Sequence, residues 1–236
     1  MDQQFSQFID DPASHNPFRA DAVVEILRQG GGSRPAVEVV LLGDQLAVYK
    51  NYTASAPGFS RILGPLLAWR ECRSLQQLQQ LTGSPGLLAR VGKRGLLMQK
   101  IDAVPVLKTT TAIDWEQFFQ RYEVLLDSMH ELGVAHGDLR SPHNTLVDTQ
   151  GQPYVVDFVA SVQRGRTWNL SANWLFRQMV RVDHSAVLKL KKRLAPELLR
   201  ADEQASLGRS TCFGRLARGF GQGVRRLSRK LFTGSK

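Results

Sequence analysis

Lys50 ends the run Leu46-Ala-Val-Tyr-Lys50, where strand alternation puts Leu46, Val48 and Lys50 on one face. An ammonium among apolar side chains needs either an ionic partner or a path to water. A carboxylate stands in a similar position downstream. Leu67, Glu71, Leu75 and Leu78 fall at i, i+4, i+8 and i+11, one stripe of a helix, with Glu71 inside it. An ion pair between Lys50 and Glu71 satisfies both groups; a Glu71 at the stripe's edge in solvent is the plainer alternative. The densest polar cluster is His136-Gly-Asp138-Leu-Arg140-Ser-Pro-His143-Asn144. Asp138 can take a proton from an attacking hydroxyl, and Asn144 offers an amide oxygen to a hard cation. Asp157 closes the apolar run Tyr154-Val-Val156, thirteen residues after Asn144. Asn, Asp and phosphate oxygens together form the kind of ligand set Mg²⁺ accepts. A transition metal on His136, Asp138 and His143 is the competing reading, but no third His or Cys lies near.

These residues need elements to hold them. The patterns predict strands at Ala22–Gln29, Pro35–Leu42 and Gln45–Tyr52, forming an antiparallel meander with Gly43-Asp44 as a tight hairpin. A helix is predicted from Pro65 to Leu81, then short strands at Leu87–Val91 and Leu96–Ile101. Asp114 reads as the N-cap of an amphipathic helix that Gly133 closes. Strands are predicted at Thr145–Val147 and Tyr154–Phe158, with helix from about Leu175 onward. This order is α+β with two lobes, not a βαβ alternation. The domain reading is a loose arm over 1–18, an N-lobe over 19–102, a C-lobe over 103–203 and a basic tail over 209–236.

The series of Lys on a third strand, Glu on the next helix, HxD with a following Asn, and Asp closing a later strand resembles the protein-kinase-like superfamily. The resemblance covers about residues 22–158. It implies ATP and Mg²⁺ as cofactors, with Lys50 on the α/β-phosphates and Glu71 pairing it. It makes Asp138 the catalytic base, Asn144 and Asp157 the Mg²⁺ ligands, and Arg140 a contact to the γ-phosphate. Gly30, Gly31 and Gly32 stand where the phosphate-covering loop belongs, as GGGS and not GxGxxG. The motif Asp157-Phe158-Val159 lacks the usual glycine, and Asp138 to Asn144 is one residue longer than usual. Asp183 is expected to brace the catalytic loop from a later helix. Ala195-Pro-Glu197 is read as a chance match to a kinase motif. HGDLRSPHN and VDHSAVLKLKKRLAPELL look most like small bacterial RIO-like and lipopolysaccharide core kinases. That resemblance implies a sugar hydroxyl of the lipopolysaccharide core, or a similar glycolipid, as acceptor. A RIO-like serine/threonine protein kinase is the alternative, and a non-catalytic pseudokinase scaffold a third reading.

Charge supports a surface partner. The 236 residues carry 31 Lys and Arg against 21 Asp and Glu, a net +10. Eight basic residues and no acidic one lie from Arg209 onward, so the body is nearly neutral. In the tail, Phe213, Leu216, Phe220, Val224, Leu227 and Leu231 fall within a sector roughly 80° wide at helical spacing, with arginines opposite. This pattern suits a helix over 209–232 lying on an anionic membrane surface, and it disfavours nucleic acid. A last helix docked on the protein is the alternative. The expected location is therefore cytoplasmic, peripheral on the inner face of the cytoplasmic membrane. No apolar run approaches a membrane span. The opening MDQQFSQFIDD does not read as a secretory signal. Cys72 and Cys212 form no metal knuckle and no disulfide framework, which fits a reducing compartment.

Overall fold

The computed structural model describes Phe18 and residues 20–209. The loose arm expected over 1–18, apart from Phe18, and the tail beyond residue 209 lie outside the described residues. The described chain forms two compact units. One comprises residues up to 76 with Pro85–Lys100, the other Gln77–Ser84 with the residues from Ile101 on.

The first unit is built on strands β1 (Val23–Arg28), β2 (Ala36–Leu42), β3 (Gln45–Asn51), β4 (Leu87–Val91) and β5 (Gly95–Gln99). They make one antiparallel sheet in the order β1-β2-β3-β5-β4. The two-residue turn at Gly43-Asp44 sets Leu42 opposite Gln45, and that register carries along both strands to Ala36 opposite Asn51. One face of the sheet holds a core of Val40, Leu42, Ala47, Tyr49, Ala89, Val91 and Leu97, closed by Phe18 edge-on to Tyr49 at 4.8 Å. The alternation on β3 therefore favours Ala47 and Tyr49. Leu46 is exposed, so the face it shares with Lys50 is not the main apolar core as the sequence pattern suggested.

Two helices follow β3. A short one, α1 (Pro57–Ile62), starts on a proline at its first position. The second, α2 (Gly64–Gln77), ends four residues before the expected Leu81. Residues 77–84 belong to the second unit instead. Gln77 donates to the Leu132 carbonyl, and Gly83 O accepts from Val155 N at 2.8 Å.

The second unit contains β6 (Val104–Pro105), α3 (Trp115–Glu131), β7 (Val134–Ala135), β8 (Thr145–Val147), β9 (Pro153–Val155), β10 (Val162–Gln163), α4 (Leu170–Leu194) and α5 (Ala201–Arg209). Asp114 caps α3 by accepting from Gln117 N at 3.0 Å. The helix buries Phe118, Phe119, Tyr122, Leu125, Leu126 and Met129 along one side, and Gly133 follows its end. Strands β6, β8 and β9 form a small antiparallel sheet, and β7 pairs with β10. β9 ends at Val155, short of the predicted Phe158, because Asp157 has a left-handed backbone that no strand accommodates. α4 begins five residues earlier than predicted, where Asn169 caps it by accepting from Ala172 N. Ala195-Pro-Glu197 lies just past its end, in a short 3₁₀ turn over Pro196–Leu198.

Candidate active site

In the first unit, Lys50 and Glu71 are 3% and 1% exposed, and the ammonium nitrogen lies 2.9 Å from the carboxylate. β3 positions the lysine, with Lys50 opposite Val37 on one neighbour and Leu96 on the other. α2 positions the glutamate on its inward side, among Ala68, Cys72 and Leu75. The Tyr52 hydroxyl adds a long contact of 3.5 Å to Glu71. Neither charge reaches solvent, so neither the edge position for Glu71 nor a snorkelling Lys50 is the one adopted. Burial pushes the adjacent Cys72 thiol up to about 11, with the charge of Glu71 acting in the same direction.

The Gly30–Gly32 segment follows β1. Gly31 and Arg34 exchange backbone hydrogen bonds at 3.0 and 2.9 Å, closing a tight loop. A Cβ on Gly30 would come within 2.5 Å of Ala54, whereas one on Gly31 or Gly32 would meet nothing within 4 Å. Gly30 is thus required by packing against the turn after β3. Gly31 and Gly32 form a bare backbone edge.

In the second unit, the loop after β7 is held from below by Asp183 of α4. This fully buried carboxylate accepts from His136 N at 2.7 Å, Gly137 N at 2.8 Å and His130 Nε2 at 3.2 Å. The His136 ring is fixed at both nitrogens: Nδ1 accepts from Asp138 N at 3.3 Å and Nε2 donates to Val156 O at 2.9 Å. Both nitrogens are committed, so the competing transition-metal set of His136, Asp138 and His143 does not form. Gly137 turns the chain at φ +79°, and Asp138 emerges exposed beyond it, while Leu139 is buried. Arg140 is half-buried and His143 exposed.

Asn144 is buried, and its Nδ2 donates to the Asp138 carbonyl at 3.0 Å, with a long contact of 3.5 Å to Asp138 Oδ2. That commitment of the amide nitrogen makes Oδ1 the atom it has for a cation. Val156 N donates to Asn144 O at 3.0 Å, tying the segment that carries Asp157 to the loop that carries Asn144. Asp157 is half-buried at φ 69°, ψ 65°, the one non-glycine residue with positive φ among the described residues. Such backbone costs energy and persists where the surroundings enforce it. Phe158 anchors it from the far side, fully buried and 4.8 Å from the His136 ring. Carboxylate and amide oxygens from two tied segments fit a hard divalent cation such as Mg²⁺.

Sequence reasoning missed His130. It sits four residues after Leu126 on the buried side of α3, and a polar ring on that side signals a buried partner, here Asp183. Asp127, His130 and His184 also approach one another, with ligand atoms within 4.8 Å. Tetrahedral bonds of 2.0–2.1 Å place ligand atoms about 3.3 Å apart, and His184 Nε2 stands 4.0 Å from Asp127 Oδ1, so the group is too widely spaced for a formed zinc site.

No protein-family model matches the chain, and no curated protein matches it. Solved structures do. A Rio2 kinase from Chaetomium thermophilum aligns with a TM-score of 0.56 at 17% identity, over 72% of this chain and 57% of that one. The Rio2 kinase–ADP/Mg²⁺–phosphoaspartate complex from the same organism aligns with a TM-score of 0.58 at 16% identity, over 76% and 58%. The chain therefore has the α+β protein-kinase-like fold, and it spans less than two thirds of the length of those kinases. Among the described residues no helix is long and apolar enough to cross a membrane.

Proposed function

We propose that the chain is an ATP- and Mg²⁺-dependent phosphotransferase of RIO-like kind with an alcohol group as acceptor. Lys50, held by Glu71, takes the α/β-phosphates. Gly31 and Gly32, which carry no Cβ, leave room for the phosphates to approach the loop. Asn144 Oδ1 and Asp157 hold Mg²⁺, which neutralises phosphate charge when bound. Asp138 receives the proton of the attacking hydroxyl as the new O–P bond forms. The bond from the γ-phosphorus to the bridging oxygen breaks, and ADP leaves with its electron pair. Arg140 steadies the transferring group. The protein supplies alignment and charge more than covalent chemistry. The observation that carries this reading is the buried Lys50–Glu71 pair at 2.9 Å. A buried ion pair is often no more stable than a packed apolar one, so its presence favours a task for the ammonium.

The likeness to Rio2 kinase supports a serine or threonine hydroxyl of a protein as acceptor. A second reading takes a sugar hydroxyl of the lipopolysaccharide core, or of a similar glycolipid, at the inner face of the cytoplasmic membrane. The basic, amphipathic pattern of residues 209–232 favours it. The test is label transfer from γ-labelled ATP by the purified full chain, offered a cell protein fraction and purified lipopolysaccharide side by side. Label in protein selects the first reading and label in lipopolysaccharide the second, each lost in Asp138→Asn. Label in the chain itself that hydroxylamine removes marks a phosphoaspartate, as in one of the Rio2 structures. No label anywhere supports a non-catalytic scaffold and overturns the proposal.

A further inference from the structure

Between Asp157 and Asp183 the chain carries four arginines and no acidic residue. The same stretch exposes large apolar side chains: Trp168 is 73% exposed, Leu170 74% and Trp174 53%. Such side chains, and tryptophan above all, gain most from leaving water. Their arrangement is ordered. Leu170, Trp174, Arg177 and Arg181 stand at i, i+4, i+7 and i+11 of α4, within a sector about 60° wide at helical spacing, and all four are exposed. The apolar pair occupies the first turn. Arg177 and Arg181 follow on the same side, about 5 and about 10 Å farther along the axis from Trp174. Trp168 and the exposed Arg166 lie just before the helix.

We propose that this face docks on an anionic phospholipid bilayer. Trp168, Leu170 and Trp174 enter the interfacial layer, and Arg166, Arg177 and Arg181 meet lipid phosphates. The chemistry favours lipid over a folded protein partner or nucleic acid. The apolar groups protrude from a turn and a helix start. The cations are uniformly arginine with no acid among them, which complements a negative surface. Tryptophan and arginine side by side are the residues that settle at the level of lipid headgroups. A nucleic-acid duplex would use the arginines but leave three large apolar side chains in water. The residues of this surface are distinct in sequence from 209–232, and binding through them needs neither nucleotide nor acceptor.

The consequence concerns the catalytic loop. α4 passes directly beside it: a Cβ on Gly137 would lie 3.6 Å from Met179, and Asp183 holds the His136 and Gly137 amides. Trp174 precedes Met179 by five residues, about 7.5 Å of helix. A bilayer under the start of α4 therefore lies on the order of 10 Å from the loop that presents Asp138. A hydroxyl on a lipid headgroup would be close at hand.

The test uses the full chain with tryptophan as reporter, since residues 209–236 contain none. Trp69→Phe/Trp115→Phe leaves Trp168 and Trp174 as the only tryptophans, excited selectively over tyrosine. With vesicles of phosphatidylglycerol and brominated phosphatidylcholine, their emission is expected to shift to the blue and be quenched. Vesicles of brominated phosphatidylcholine alone should give neither effect. In the parent sequence, Trp168→Ala/Trp174→Ala and Arg177→Glu/Arg181→Glu should each weaken partitioning roughly tenfold or more, with circular dichroism and melting unchanged. Vesicle binding without quenching assigns the membrane contact to another segment and overturns the inference. Partitioning of either variant equal to that of the parent, or no binding to anionic vesicles, also overturns it. Because the readout is binding alone, failure here leaves phosphoryl transfer standing, and failure of transfer leaves this surface standing.

Discussion

The Asp183 carboxylate receives the His136 amide at 2.7 Å and so fastens α4 to the loop that carries Asp138. Two further donors, Gly137 N and His130 Nε2, complete its partners. Asp183→Ala strands all three buried donors, and each costs about 1–3 kcal/mol. We expect a loss of roughly 3–5 kcal/mol in urea unfolding. Asp183→Asn keeps one acceptor but turns an NH₂ toward the other amide, so it should fall between Ala and the parent. An unfolding free energy within 1 kcal/mol of the parent for Asp183→Ala would contradict this role.

Lys50 and Glu71 predict a compensating pair. Lys50→Met leaves a buried carboxylate without its cation, and Glu71→Leu leaves a buried ammonium. Each should cost about 3–5 kcal/mol. The double variant Lys50→Met/Glu71→Leu removes both charges and should regain most of that stability, while phosphoryl transfer stays lost. Urea unfolding beside a transfer assay separates the two quantities. Additive losses in the double variant would show that the pair is not coupled.

Asp157 should separate stability from activity. Its left-handed backbone costs a non-glycine residue about 1–2 kcal/mol. Asp157→Gly relieves that cost, so the folded state should be as stable as the parent or slightly more so. Mg²⁺-dependent nucleotide binding should disappear at the same time. A marked destabilisation by glycine would mean that the carboxylate holds the fold and not the cation.

Alkaline pH should weaken the fold through groups that burial keeps protonated. The Cys72 thiol is pushed up to about 11 from an ordinary value of 9.0, and burial also raises Tyr49 and Tyr122. Between these limits the unfolded chain has released the Cys72 proton and the folded chain has not. Its contribution is complete below about pH 9 and is lost as pH rises toward about 11. Cys72→Ala should flatten that part of the stability curve. In a Cys212→Ser background, native alkylation of Cys72 at pH 8 should be slower than for a free thiol by about a hundredfold or more. Rapid native alkylation would refute the burial effect.

Much of this was legible in the sequence because local chemistry and global packing agree there. Strand alternation with Gly43-Asp44 marked β2 and β3, Asp114 and Gly133 marked the ends of α3, and the stripe through Glu71 marked its inward side. Other features gave no periodic signal. α1 has six residues, too few to show a period. β9 seemed to run on to Phe158 because Val155, Val156 and Phe158 are strand formers, but Asp157 breaks it. The start of α4 was hidden because Leu170 and Trp174 face water, so their apolar character argued for the wrong side. On β3 alternation gave the pairing of faces correctly but not which face held the core. That choice depends on Phe18 and β4, distant in sequence.

The central claim is tested most directly by ATP turnover of the purified full chain with Mg²⁺, compared with Asp157→Ala. The account predicts Mg²⁺-dependent release or transfer of the γ-phosphoryl group by the parent and its abolition in Asp157→Ala, with the variant's fold intact by circular dichroism. Turnover that survives in Asp157→Ala, or a parent that neither binds nor turns over Mg·ATP, would contradict it.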